Sequence, residues 1–454
     1  MTTSITRFEI KKLHGYKNID LRLEDNTIIL VGENGAGKTT ILHLFYYILS
    51  GQWSSIARFQ FEEIAMTIGS KRHALKYSDF ATPLKKIDHQ FLRRLPPEIR
   101  HRIMAMMQQQ EGQLFTPEVE RLCMEYGIPF HHMVREMELF DPEAGKESEA
   151  LRQSLKEIRH SLKAQILYLP TYRRIEQELN LIFKGMDERE IRNRREMLSA
   201  RQDENTFVEL IEFGMKDVES DIDRTLTHLT MFARENLNNL TFGYLGDIVE
   251  RQYESVDLKA IKNVSDQTID NILNRIQENI LSTENKQHLR EIINQVKNSD
   301  KQTEHTQVIC HYFSKLMKFQ KQLESREAQI TNFCSVCNEY MVDKEFKYDT
   351  TNFKFTILRK GNPTKSSDIK LHHLSSGEKQ IVSLFSHLYL SGGKNYFVLI
   401  DEPELSLSVP WQRRFLLDIK NGQFCSGLVA VTHSPFIYEN ELRKYAHGLG
   451  EFIV

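Results

Sequence analysis

Residues 26–50 constrain this chain more than any other stretch. Asn26-Thr27-Ile28-Ile29-Leu30-Val31 is a short, largely β-branched apolar run, the composition of a buried parallel strand. Gly32-Glu33-Asn34-Gly35-Ala36-Gly37-Lys38-Thr39 follows at once and matches G-x-x-x-x-G-K-[ST]. The run from Thr40 to Leu49 then reads as a buried helix. Strand, glycine-rich turn and helix form the setting in which this motif binds phosphate. Glycines let backbone N–H groups wrap an anion, and the helix N-terminus adds a favourable dipole. Lys38 is placed for the β- and γ-phosphates and the Thr39 hydroxyl for Mg²⁺. The expected ATP contacts are Gly32, Glu33, Asn34, Gly35, Ala36, Gly37, Lys38, Thr39 and Thr40.

Three C-terminal segments complete the pattern. Tyr396-Phe397-Val398-Leu399-Ile400 is a second buried-strand run, and Asp401-Glu402-Pro403-Glu404 ends it. Asp401 is placed to hold hydrated Mg²⁺ and Glu402 to polarise an attacking water. Leu374-Ser375-Ser376-Gly377-Glu378-Lys379-Gln380 precedes an apolar helix. Its hydroxyls and backbone N–H groups suit an anion, and equally suit a plain N-cap. Leu428-Val429-Ala430-Val431 is a third strand that runs into Thr432-His433-Ser434-Pro435, where His433 is a candidate γ-phosphate sensor.

In this order, the phosphate loop, LSSGE, DEPE and THS resemble the ABC-type ATPase heads of SMC and RecF-like proteins. The resemblance implies an α/β fold: a P-loop ABC-type head with a mixed sheet, interrupted by two mainly helical inserts. It implies head-to-head dimers in which Ser375, Ser376 and Gly377 of one head cap the ATP held by another. It makes Glu402 the catalytic base, Lys38 its phosphate-binding companion, His433 the switch histidine, and Thr39 with Asp401 the Mg²⁺ ligands. Two departures stand out. Ser408 occupies the position where family members often carry the D-loop aspartate. The third head strand, Gln165-Ile166-Leu167-Tyr168-Leu169-Pro170, leads into Thr171-Tyr172-Arg173-Arg174, with an arginine pair where a Q-loop is expected. Those arginines suit a phosphate contact or an ion pair with Glu176 or Glu178. Tyr16-Lys17 suits an adenine contact or a plain strand turn.

The expected head occupies residues 1–55, 161–180 and 338–454, leaving inserts at 56–160 and 181–337. In the second, Val208, Ile211, Met215, Val218, Ile222, Leu226 and Leu229 mostly follow three-to-four spacing, as do Leu316, Phe319, Leu323, Ile330, Phe333 and Cys337. Together they describe a short antiparallel coiled-coil hairpin. The single CxxC, Cys334-Ser335-Val336-Cys337, has no second pair to complete a zinc site and lies on that apolar stripe. His131-His132 lacks a carboxylate at ligand spacing and is assigned no metal.

Charge enters in the first insert. The 454-residue chain carries a formal net charge of −2, which excludes a polycation that coats nucleic acid indiscriminately. That balance conceals nine Lys/Arg against three Asp/Glu in residues 71–102, and ten Asp/Glu against three Lys/Arg in residues 111–149. The two stretches read as paired solvated faces, or as a surface for DNA or an acidic partner around Arg93, Arg94, Arg100 and Arg102. No apolar run approaches membrane-spanning length, and no charged-then-apolar leader opens the chain. The expectation is a cytoplasmic protein with no membrane partner.

The chain ends 21 residues after His433, too few for the Toprim nuclease domain that follows the similar head of OLD-type nucleases. A nuclease, if one takes part, is then expected as a separate chain. The short-armed head resembles stand-alone ATPases of anti-phage defence, such as AriA of the PARIS system and PtuA of the Septu system. That resemblance implies an oligomeric scaffold, hexameric in the AriA type, that controls a toxic, Toprim-type effector and answers a phage protein. The competing expectation is a RecF- or SMC-like repair ATPase that binds DNA across an ATP-dependent dimer.

Overall fold

The computed structural model describes residues 4–33, 35–52, 55–56, 59–77, 100–101, 104, 149–170, 207–209, 215–256, 258–276, 278, 281–298, 303–360, 369–405 and 407–454. In chain order its elements are β1 (Ile5–Leu13), β2 (Lys17–Arg22), β3 (Thr27–Val31), α1 (Lys38–Ser50), β4 (Glu63–Ile68), β5 (Lys71–Lys76), α2 (Glu149–Leu162), β6 (Gln165–Leu169) and β7 (Phe207–Glu209). They continue with α3 (Met215–Val249), α4 (Leu258–Lys262), α5 (Asp266–Arg275), α6 (Thr283–Asn298), α7 (Glu304–Asn338), β8 (Lys344–Asp349), β9 (Lys354–Arg359), α8 (Ser376–Leu390), β10 (Tyr396–Asp401), α9 (Val409–Lys420), β11 (Cys425–Thr432) and β12 (Ala446–Gly448). Two compact units result: Met1–Glu212 with Lys394–Val454, and Phe213–Gly393.

The first unit holds a six-stranded sheet of order β12-β3-β11-β10-β6-β7, parallel throughout. Its central strands read as apolar runs because both faces are covered: every residue of β6 and β10 is buried. A separate antiparallel sheet has the order β2-β1-β4-β5. The α/β class expected from the sequence holds, with parallel and antiparallel pairing kept in different sheets. Helix α1 lies between them and is apolar almost all round. Phe45 meets Phe8 of β1 at 4.8 Å, edge-on, and stacks on Phe397 of β10 at 6.0 Å. One helix therefore closes the core against two sheets.

The first insert departs from its mainly helical expectation. Residues 63–76 are a hairpin, β4–β5, that pairs with β1. The signal is the alternation in Lys71-Arg72-His73-Ala74-Leu75-Lys76, whose burial also alternates, after a turn at Gly69, which has a φ of 61°. The outer face of this sheet is charged. Arg72 donates to Glu63 at 2.7 Å and to Glu9 at 3.0 Å, and Arg7 donates to Asp20 at 2.6 Å. Helix α2 is a described helical part of this insert. His131-His132, Arg93, Arg94, Arg102 and the whole stretch 111–148 lie outside the described residues.

In the second unit α3 and α7 run antiparallel. The Tyr244 hydroxyl donates to the Val308 carbonyl and Asp247 accepts from His311, whereas Phe232, earlier in α3, stacks on Phe319, later in α7. Val218, Ile222 and Leu229 of α3 and Leu316, Leu323 and Ile330 of α7 are all buried. Each helix has 35 residues, about 52 Å at 1.5 Å per residue. Val208, placed on the helical stripe by its spacing, instead lies in strand β7, and Ile211 is outside the described residues. The hairpin does not end in a bare turn. Helices α4, α5 and α6 fold onto α7 around Ile261, Ile269, Ile272, Ile293, Cys310 and Phe313. Cys337 is fully buried and packs in the core.

The signature segment also belongs to this unit, because α8 packs against α3 and α7. The sequence reading grouped it with the strand that ends in Asp401. Its helix is buried along most of its length and packs on the two long helices.

Candidate functional site

The parallel register builds the site. Strand β11 lies between β3 and β10, with Thr432 opposite Val31 and Val431 opposite Asp401. The phosphate loop, Asp401-Glu402 and Thr432-His433 therefore leave the C-terminal ends of three neighbouring strands at one edge, the edge where open α/β sheets bind ligands.

The loop turns into α1 at Gly37, whose φ of 95° is in the left-handed region that a side chain would strain. Gly35 repeats this at 81°. A Cβ at either glycine would meet nothing within 4 Å, so the space in front of the loop is open. The N-terminus of α1 has neither a side-chain cap nor an acidic residue in its first turn. Its backbone N–H groups and positive dipole end are left for an anion. Asn34 lies outside the described residues, and Thr40 is half-buried in the first turn of α1.

Lys38 is 4% exposed and donates to the carbonyls of Gly32 and Glu33, each at 2.8 Å. Its ammonium also stands 3.2 Å from His433 Nε2. Burial pushes its pKa down, against the pull of Glu402, Asp401 and Glu404. The Thr39 hydroxyl donates to Asp401 at 3.1 Å, which puts two hard oxygen ligands side by side. Glu402 lies 3.7 Å from His433 Nε2 and has a φ of 50°, a left-handed backbone for a residue followed by proline. Such strain persists only where the surroundings enforce it, here with the Glu402 N–H held by the Val431 carbonyl at 2.9 Å. Lys38, Thr39, Asp401, Glu402 and His433 are thus brought together at one sheet edge.

Ser375, Ser376 and Gly377 lie at the start of α8 in the other unit. Ser375 and Glu378 form a reciprocal capping box there, and Lys344 of β8 donates to Glu378 at 2.8 Å. The cap that the sequence allowed is present, while both serines remain exposed. Tyr16 is exposed on the β1–β2 turn, and Lys17 donates to the Ala36 carbonyl of the phosphate loop at 3.3 Å. Arg173 and Arg174 lie outside the described residues. Ser408 precedes α9 and makes no side-chain cap. Among the described residues no cluster of three or more His, Cys, Asp or Glu side chains has metal-holding geometry, and no helix is long and apolar enough to cross a membrane.

The sequence reading assigned nothing to Glu404, yet its carboxylate accepts from the Thr432 hydroxyl at 2.8 Å and from the His433 N–H at 2.7 Å. The DEPE string was the available signal, and the pairing needed the fold to bring β10 beside β11.

A phosphate loop, a strand-end Asp-Glu pair and a strand-end histidine on one edge of a parallel sheet define a P-loop nucleotide-binding ATPase. The chain belongs to the AAA ATPase domain family, whose model matches residues 4–438. Among solved structures it is similar to the Smc head domain with an extended coiled coil bound to the C-terminal domain of ScpA, from Pyrococcus furiosus. That match has 14% identity and a TM-score of 0.35, over 96% of this chain and 91% of that one. A search of curated proteins finds no match.

Proposed function

We propose that this chain binds ATP with Mg²⁺ at the edge formed by β3, β10 and β11, hydrolyses it, and uses the cycle to switch a homo-oligomer that controls a separate partner chain. The observation that carries the reading is the placing of one buried ammonium, Lys38, on the loop carbonyls of Gly32 and Glu33, with Asp401 held by Thr39 and Glu402 beside His433 at the same sheet edge. Two carboxylates, Asp401 and Glu402, beside one ammonium leave an excess of negative charge that suits a divalent ion, and Thr39 beside Asp401 offers the oxygen donors. The uncapped N-terminus of α1 and the open glycine loop suit the phosphates.

When bound, Mg²⁺ supplies charge neutralisation for phosphoryl transfer. Lys38 exchanges its loop carbonyls for phosphate oxygens. Thr39 and Asp401 hold the metal. Glu402 orients and polarises the attacking water, and His433, already 3.7 Å from Glu402, aligns with it. Ser375, Ser376 and Gly377 act across a head-to-head dimer. The control of a toxic, nuclease-type effector in anti-phage defence, with a phage protein as trigger, extends the sequence resemblance. The short paired helices, about 52 Å long, suit a compact scaffold.

Lys38→Ala is expected to abolish ATP binding measured by calorimetry. Glu402→Gln is expected to bind ATP normally while turnover falls by about 10² or more. Wild-type turnover in Lys38→Ala overturns the site. ATP-dependent, salt-sensitive DNA binding that is lost when Arg93 and Arg94 are changed to glutamate transfers the proposal to the DNA-repair class.

A further inference from the structure

We infer that Glu404 is a positioning residue of this site, whose carboxylate holds the switch segment so that the His433 ring faces Lys38 and Glu402. The inference rests on the ATPase reading and adds to it a residue that acts on the switch segment through hydrogen bonds.

Glu404 uses both oxygens on consecutive residues of one segment. Oε1 accepts the His433 N–H and Oε2 accepts the Thr432 hydroxyl. Thr432 is fully buried, so water offers no replacement partner for that hydroxyl. The bonds continue into a ring. Thr432 Oγ1 accepts the Ser434 N–H at 3.0 Å, and the Ser434 hydroxyl donates to Gln412 Oε1 at 2.6 Å. Gln412 Nε2 returns to the carbonyl of Leu407 at 2.9 Å and that of Glu404 at 3.4 Å. The Leu407 N–H closes on the Glu404 carbonyl at 3.1 Å.

This ring fastens the turn after β10, the first turn of α9 and the end of β11 into one piece. The His433 ring stands 3.2 Å from Lys38 and 3.7 Å from Glu402, groups whose positions change in the ATPase reading when phosphate arrives. Its backbone is the part that stays fixed, and Glu404 is the side chain that fixes it. Carboxylate acceptors for backbone N–H groups make strong, directional bonds. A catalytic group displaced by about 1 Å loses on the order of 10²-fold in rate.

Turnover, Mg·ATP affinity and the His433 ring resonance (¹³C-labelled histidine, assigned by its loss in His433→Ala) test this in the full chain. Glu404→Ala is expected to lower kcat at least about tenfold with Mg·ATP affinity changed less than about threefold. Glu404→Gln is expected to recover at least about threefold of the rate lost in Glu404→Ala, since an amide oxygen still accepts the His433 N–H while the Thr432 hydroxyl loses its carboxylate acceptor. In a His433→Ala background, Glu404→Ala is expected to cost less than about twofold more, because the group it positions is gone. The His433 resonance is expected to shift in Glu404→Ala and to hold in Glu404→Gln.

A full additional loss in the His433→Ala background, a Glu404→Gln enzyme as slow as Glu404→Ala, or an unmoved His433 resonance in Glu404→Ala overturns the inference. If the wild type itself shows no turnover, the ATPase reading fails, and the resonance alone decides the role of Glu404.

Discussion

At the scale of single residues, the cysteines show how burial decides chemistry. A CxxC string invites a metal or redox reading, but Cys334 and Cys337 sit in the core of α7. Burial pushes the Cys310 thiol up to about 11 and Cys334 to about 12, raises Cys337 well above its ordinary value, and takes Cys425 to about 11. The thiolate is the nucleophile and the metal ligand, so all four are inert at neutral pH. Iodoacetamide at pH 8 is expected to label them at least about tenfold more slowly in the native chain than in denaturant, read by peptide mass spectrometry. Equal rates at Cys334 would contradict the packing. The linkage runs one way. These thiols are protonated in the fold, so their contribution to stability is intact below the unfolded value near about 8.5. It is lost as pH rises through the folded values of about 11 to 12.

At the scale of elements, buried polar links fix how helices and strands meet. Glu327 of α7, 3% exposed, accepts from Arg275 of α5 at 2.6 and 3.1 Å and from the Tyr348 hydroxyl of β8 at 2.8 Å. Burial first, and the adjoining Glu327 charge second, push the Tyr348 phenol well up, so it remains a donor. Glu327→Ala leaves the half-buried guanidinium of Arg275 without its carboxylate and is expected to destabilise the chain by about 2–3 kcal/mol in urea unfolding. Replacing both partners, Arg275→Met with Glu327→Leu, is expected to recover most of that loss, since an apolar pair leaves no charge behind. A double variant as unstable as Glu327→Ala would show that the pair, rather than the orphaned charge, carries the stability. Element identity was mostly legible beforehand: the strands at 27–31, 165–169 and 396–401 and the helix beginning at Ser376 all announce themselves by apolar runs or caps. The hairpin at 63–76 did not, because two six-residue strands lie beside long charged stretches that favour a helical reading.

At the scale of the whole molecule, the signature belongs to one unit while the phosphate loop, Asp401, Glu402 and His433 belong to the other. The proposed assembly through a shared nucleotide predicts a specific outcome. Glu402→Gln with Mg·ATP is expected to double its mass in light scattering, and Ser376→Arg in that background is expected to keep it monomeric by blocking the signature face. An unchanged dimer with Ser376→Arg would remove the signature from the interface.

The sequence by itself determined the chemistry: a phosphate loop needs glycines, one lysine and a hydroxyl in fixed local order, and local order is what a string of residues records. Tertiary structure alone decided three things. It set Glu404 against Thr432 and His433, 28 and 29 positions away, because parallel pairing of β10 and β11 brings their ends together. It assigned α8 to the unit of long helices through the face that packs on α3 and α7. It placed α1 between two sheets through Phe8, Phe45 and Phe397. Each of these depends on which apolar surface finds which partner, and that choice is made by burial over the whole chain rather than by any neighbour in sequence.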